Sequence, residues 1–184
     1  MKRIIIASIL LLTTIAANAQ RVTGQFGAYY QTRFKAADGL EMSLSHWGVF
    51  AGAQFEPFYP WPVYLETGLG VSMCVGTDFK AHVYRLELPL DITWQWEPAP
   101  KFSVGPYAGA YATYNLKVFD EYGPKEELNP WGWGLMGGLS IRPAAAIINV
   151  GYYRDMMPLR KADAVLTDFF RPGHGIRISF CWCF

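Results

Sequence analysis

The sequence predicts an all-β chain folded as an eight-stranded antiparallel up-and-down barrel of the transmembrane kind. Three observations carry this expectation. Residues 84–96 alternate without a break, with Tyr84, Leu86, Leu88, Leu90, Ile92, Trp94 and Trp96 on one face and Arg85, Glu87, Pro89, Asp91, Thr93 and Gln95 on the other. Period two over that length is a β-strand, because successive side chains point to opposite faces. Its apolar face carries rings at both ends and only aliphatics between, as in a strand with aromatics at two interfaces and aliphatics in hydrocarbon. At roughly 3.3 Å per residue and a tilt near 40°, the step from Tyr84 to Trp94 rises about 25 Å, the height of a barrel's apolar band. The third observation is that the same alternation recurs in seven further segments separated by turn signals.

The first strand is read over 22–30, with Val22, Phe26, Ala28 and Tyr30 outward and Thr23, Gln25, Gly27 and Tyr29 inward. A polar loop over 31–41 follows, containing Arg33, Lys35 and the Asp38-Gly39 turn signal. The second strand, 45–55, sets Trp47, Val49, Ala51, Ala53 and Phe55 against His46, Gly48, Phe50, Gly52 and Gln54. Pro57, Pro60 and Pro62 make 56–62 a turn, since proline cannot continue a central ladder. The third strand, 63–73, places Val63, Leu65, Leu69, Val71 and Met73 outward and Tyr64, Glu66, Gly68 and Gly70 inward, and a connection around 76–80 leads into strand four, 84–96. Pro98 and Pro100 mark a turn over 97–101.

The fifth strand, 102–116, alternates Phe102, Val104, Ala108, Ala110, Ala112 and Tyr114 with Ser103, Gly105, Tyr107, Gly109, Tyr111 and Thr113, and a charged loop is expected over 117–130. In the sixth strand, 131–141, Trp131, Trp133, Leu135, Leu139 and Ile141 oppose Gly132, Gly134, Met136, Gly138 and Ser140; residues 142–145 then turn the chain. The seventh, 146–154, has Ile148, Val150 and Tyr152 outward and Asn149, Gly151 and Tyr153 inward. A long loop over 155–172 precedes the last strand, 173–184, where Ile176, Ile178, Phe180, Trp182 and Phe184 face away from Arg177, Ser179, Cys181 and Cys183.

Short, proline-bearing turns follow strands two, four and six, while the connections after one, five and seven are long and the one after three is intermediate. Outer-membrane barrels have short periplasmic turns and longer external loops, so both termini are expected in the periplasm. Phe55, Trp61, Trp94, Trp96, Phe102, Trp182 and Phe184 then fall at one rim, and Tyr30, Trp47, Tyr84, Tyr114, Trp131, Trp133 and Tyr152 at the other.

Length and charge fit this scheme. Residues 1–19 read as a secretory signal peptide, with Lys2 and Arg3, an apolar run over 4–12 and an Ala17-Asn18-Ala19 exit, leaving residues 20–184 as one domain. Loss of Lys2 and Arg3 takes the formal charge from +1 to −1, which gives nucleic acid nothing to bind. No later run approaches the roughly 18 apolar residues of a membrane helix, so a membrane location requires a closed barrel. Aromatic residues make up 16% of the chain and there are 18 glycines, as suits a small barrel with rings outside and room made inside. Cys74, Cys181 and Cys183 are an odd set, read as free lumenal thiols in preference to a bridge involving Cys74. No metal or cofactor site is expected.

The signal peptide, the eight alternating segments, the Leu86-Glu87-Leu88-Pro89-Leu90 run and the terminal outward Phe184 together resemble the small outer-membrane β-barrel families, in particular the PorT-like outer membrane protein beta-barrel domain group. The resemblance covers the whole mature chain and implies an integral outer-membrane protein of a Gram-negative envelope, in contact with outer-membrane lipid. The C-terminal aromatic strand resembles the signal that barrel-insertion machinery recognises. Such a scaffold hosts varied activities, so function must come from the site.

Eight strands enclose an interior just wide enough for side chains to fill. Glu66, Arg85, Glu87, Asp91 and Arg177 point into it. Placing Trp96 opposite Phe102 puts Asp91 across from Tyr107 and Glu87 across from Tyr111, partners that buried charges need. The expected lumen is a hydrogen-bonded polar plug, with an ion or proton path as its functional rival. A lipid-A-modifying enzyme is a second reading, but the His-x-Ser pair of a deacylase is missing: Ser45 and His46 are adjacent, His174 and Ser179 fall on opposite faces, and His82 has no serine within two positions, so the histidines are read as rim or loop residues. A soluble lipocalin-like carrier would reverse the polarity, lining its cup with apolar residues. The sequence therefore points to a non-enzymatic, porin-like barrel with no catalytic residues and a structural or surface-binding role, its long loops being the binding surface and Phe169 and Phe170 packing the last loop to the rim.

Overall fold

The computed structural model describes residues 22–34, 42–57, 61–76, 81–120, 129–158 and 172–184. Its strands are β1 (Val22–Phe34), β2 (Met42–Phe55), β3 (Val63–Gly76), β4 (Ala81–Trp94), β5 (Trp96–Ala99), β6 (Phe102–Asp120), β7 (Trp131–Pro143), β8 (Ala146–Asp155) and β9 (His174–Cys183). All ladders are antiparallel and join sequence neighbours, and β1 pairs with β9 to close the ring. The four-residue β5 continues β4 after a break at Gln95, so nine segments make eight staves. The structure is an eight-stranded closed antiparallel β-barrel, with no helix among the described residues.

Facing follows the alternation. In β4, Arg85, Glu87, Asp91 and Thr93 are buried while Leu88, Leu90, Ile92 and Trp94 are exposed, and β6, β7 and β9 keep the same order. Val63 departs from it, being covered although its parity is outward. Rings meet across strands at both rims: Tyr30 with Trp47 at 4.5 Å and Tyr114 with Trp131 at 4.7 Å at one, Trp61 with Trp94 at 6.1 Å at the other. Offset and edge contacts at these separations favour strand pairing beyond the area they cover. Val22 and Phe184 lie at the end with the short turns, where Gly24 and Phe184 exchange backbone hydrogen bonds.

Pro89 sits mid-strand without a backbone donor, and the β3–β4 ladder lapses there, between Thr67↔Leu90 and Gly70↔Glu87. The Thr67 hydroxyl donates to the Pro89 carbonyl at 2.8 Å, supplying a bond that the ladder omits.

Three expectations are corrected. Several strands outrun their expected ends: β1 reaches Phe34, β3 Gly76, β6 Asp120 and β7 Pro143, so Gln31, Arg33 and Arg142 lie in strands and point inward. Trp96 pairs with Val104, and Ala99 pairs with Phe102. The proline-bearing segment stays extended as β5 and turns in two residues, with Lys101 at φ 60° taking the left-handed position. That tight turn moves Asp91 opposite Gly109, Glu87 opposite Thr113, Tyr107 opposite Thr93 and Tyr111 opposite Pro89. Third, His46 is no rim or loop histidine, since it is buried inside the barrel. Residues 1–19, the Asp38-Gly39 turn, Phe169 and Phe170, and the side chains of Ser45 and His82, lie outside the described residues.

Candidate functional site in the barrel lumen

The lumen holds charges and hydroxyls where a soluble protein keeps its aliphatics. Glu66, Arg85, Glu87, Asp91, Tyr107, Tyr111 and Arg177, the residues that alternation turned inward, are all buried. Glu87, 1% exposed, accepts a hydrogen bond from the Tyr29 hydroxyl at 2.9 Å and another from Arg177 at 2.5 Å. The Arg177 guanidinium also lies over the Tyr29 ring at 4.0 Å from its centroid. Since β4 and β9 are four staves apart in either direction, the Glu87–Arg177 pair spans the barrel as a diameter.

A second cross-lumen cluster joins β3, β4 and β7. Glu66 accepts from Thr93 at 3.1 Å and pairs with Arg142, which stacks on Tyr64 at 4.5 Å. Toward the other end, Arg85 donates to Ser72 at 3.2 Å and Gln31 at 3.3 Å and meets Nδ1 of His46. Arginine has no acceptor, so His46 must accept through Nδ1, which places its proton on Nε2. Tyr111 donates to Asp155 at 2.6 Å, and the other Asp155 oxygen accepts the Gly173 amide at 3.2 Å. Tyr107, Tyr111, Met136 and Tyr153 cluster in the same interior.

Two glycines make this filling possible. A Cβ on Gly48 would stand 2.3 Å from the Tyr29 ring, and one on Gly134 the same distance from that of Tyr111. Each tyrosine lies across a bare backbone on the neighbouring strand, an arrangement that protects strand glycine. The Gly134→Ala variant should therefore push Tyr111 off Asp155 and lose about 1–3 kcal/mol by overpacking. Urea unfolding, with the hydroxyl-free Tyr111→Phe as reference, measures this; an alanine as stable as the parent would refute the packing account.

Alternation placed the expected lumen residues inside but paired them wrongly. Tyr107 and Tyr111 do not bond to Asp91 or Glu87; Tyr29, Arg142, Gln31, His46 and Asp155 supply the contacts instead. Carrying the parity of β1 past Tyr30 and of β7 past Ile141 would have found Gln31, Arg33 and Arg142. All three cysteines are free, Cys74 and Cys181 being buried. His174 packs between Phe34, at 5.8 Å, and Tyr152, at 5.9 Å, on the outside of the barrel.

These features define a class: a closed eight-stranded barrel with its charges bonded together inside and its aliphatic side chains outside. No family model matches the chain, and no curated protein is significantly similar to it.

Proposed function

We propose that the chain is a non-enzymatic integral barrel of a Gram-negative outer membrane, akin to the PorT-like group. Its lumen is closed by polar side chains, its termini are periplasmic, and its role is structural or surface-binding through the loops of the far rim. The carrying observation is the inverted polarity. Phe26, Val49, Leu69, Val71, Leu88, Leu90, Ile92, Leu135, Leu139, Ile178 and Phe180 are exposed around the wall while four arginines and three carboxylates are buried within it. An apolar surface that encircles the molecule far exceeds the few hundred Å² usual for a soluble monomer, and lipid is the solvent that accepts it. A lipocalin-like carrier needs an apolar cup, and ion pairs occupy that space here.

The plug reading rests on how little room is left. Around Asp91 the lumen keeps a cavity of about 20 Å³, enough for about one water and too small for a solute path. The lipid-A enzyme reading has less support, since His46 is enclosed against Arg85 and His174 lies between aromatic rings. Expression with the leader, then fractionation and alkaline carbonate washing, tests the assignment. The protein is expected in the outer-membrane pellet, released only by detergent and with heat-modifiable gel mobility; a periplasmic protein that stays soluble without detergent would refute it.

A further inference from the structure

The lumenal charges do not balance locally. Glu66 is paired with Arg142 and Glu87 with Arg177, but Asp91, 9% exposed, has no ion pair or hydrogen bond among the described residues, and its Oδ1 is buried without a partner. Arg85 is committed to Gln31, Ser72 and His46, and it stands six residues from Asp91, roughly 20 Å along the strand. Asp91 lines the cavity of about 20 Å³ together with Gln25 and Asn149. Gln25 and Asn149 are also buried, and Oε1 of Gln25 and Oδ1 of Asn149 likewise lack partners. Both carboxamide oxygens are thus unused acceptors at the cavity.

From these observations we infer that the cavity is a binding site for one monovalent metal cation of the sodium or potassium class, held by Asp91, Gln25 and Asn149. A carboxylate with two carboxamide oxygens is a hard, all-oxygen donor set, suited to alkali and alkaline-earth ions and poor for zinc or copper. Near the cavity, Glu66, Glu87 and Asp91 stand against Arg142 and Arg177, which leaves one negative charge, the other two buried arginines, Arg33 and Arg85, standing toward the opposite rim beside Gly173 and His46. A single positive charge therefore neutralises this end, while a divalent ion would leave an excess beside Arg177, which also lines the cavity. A lone water has two protons for three acceptors and neutralises nothing. The cation would give Asp91 the counter-charge it lacks among the described residues, a buried carboxylate without one being costly.

The test uses the full mature chain purified in non-ionic detergent. Thermal unfolding is followed in choline chloride, sodium chloride and potassium chloride at equal ionic strength, for the parent, Asp91→Asn and Gln25→Leu. In the parent, sodium or potassium should raise the unfolding temperature over choline, saturably, by about 3–6 °C at ten times the dissociation constant. Both variants should lose that difference, and if Asp91→Asn fails to fold, Gln25→Leu carries the comparison. Identical unfolding of the parent in all three salts, the result for a water-filled cavity or a neutral carboxylic acid, overturns the site. So does a salt-specific rise that survives in either variant.

Discussion

Leu90→Arg is expected to cost about 2–4 kcal/mol when the protein is unfolded by urea from lipid vesicles, the penalty for a cation at mid-bilayer on the outer face of a barrel. Leu90 is 49% exposed, faces outward midway between the rim rings of Tyr84 and Trp96 and pairs with Thr67 and Ala110 on its two sides. If water covered this wall, the same arginine would be a surface substitution worth no more than about 0.5 kcal/mol. The two environments thus differ several-fold in one measurement. A second arginine, at Trp96 on the rim, should cost much less, because the penalty fades toward the interface. Equal small effects at Leu90 and Trp96 would remove the membrane assignment.

Glu87→Ala should cost about 3–5 kcal/mol, because it leaves the Arg177 guanidinium buried without its carboxylate. It also strips the Tyr29 hydroxyl of its acceptor. The double variant Glu87→Leu with Arg177→Leu should recover much of the loss, since an apolar pair of similar volume replaces a buried ion pair at little net cost. Unfolding free energies of Glu87→Leu alone, Arg177→Leu alone and the double variant, each against the parent, form the cycle that isolates the coupling. The same proteins in planar bilayers separate the plug from a conducting path. The plug account expects the parent to be closed and Glu87→Ala to be the least stable; steady conductance in the parent, abolished by Glu87→Ala without loss of stability, would favour the path.

The barrel was legible because its main signal is local. Which way Arg85, Glu87 and Asp91 point depends only on the parity of their positions in one strand, and a strand keeps its parity until it bends or bulges. The strand ends were less legible for a related reason. Gln31 and Arg33 look like loop residues by type, yet they keep the parity of β1 and are buried inside, where Gln31 accepts from Arg85. Arg142 reads as a turn residue beside Pro143, until Glu66 is placed across the barrel from it. Polar residues at strand ends are ambiguous because a filled polar lumen and open water reward the same side chains.

Alternation alone determined the all-β class, the number of staves and the inside or outside of nearly every strand residue, since each of these follows from a period of two. Partnership was decided by the closed ring. The two-residue turn at Lys101 set the β4–β6 register, the ladder from β1 to β9 set how far the staves are sheared, and those together brought Arg177 to Glu87 and left Asp91 facing Gly109. Contacts across a lumen join residues far apart in the chain, so they depend on the summed register of every intervening ladder, which no single strand encodes.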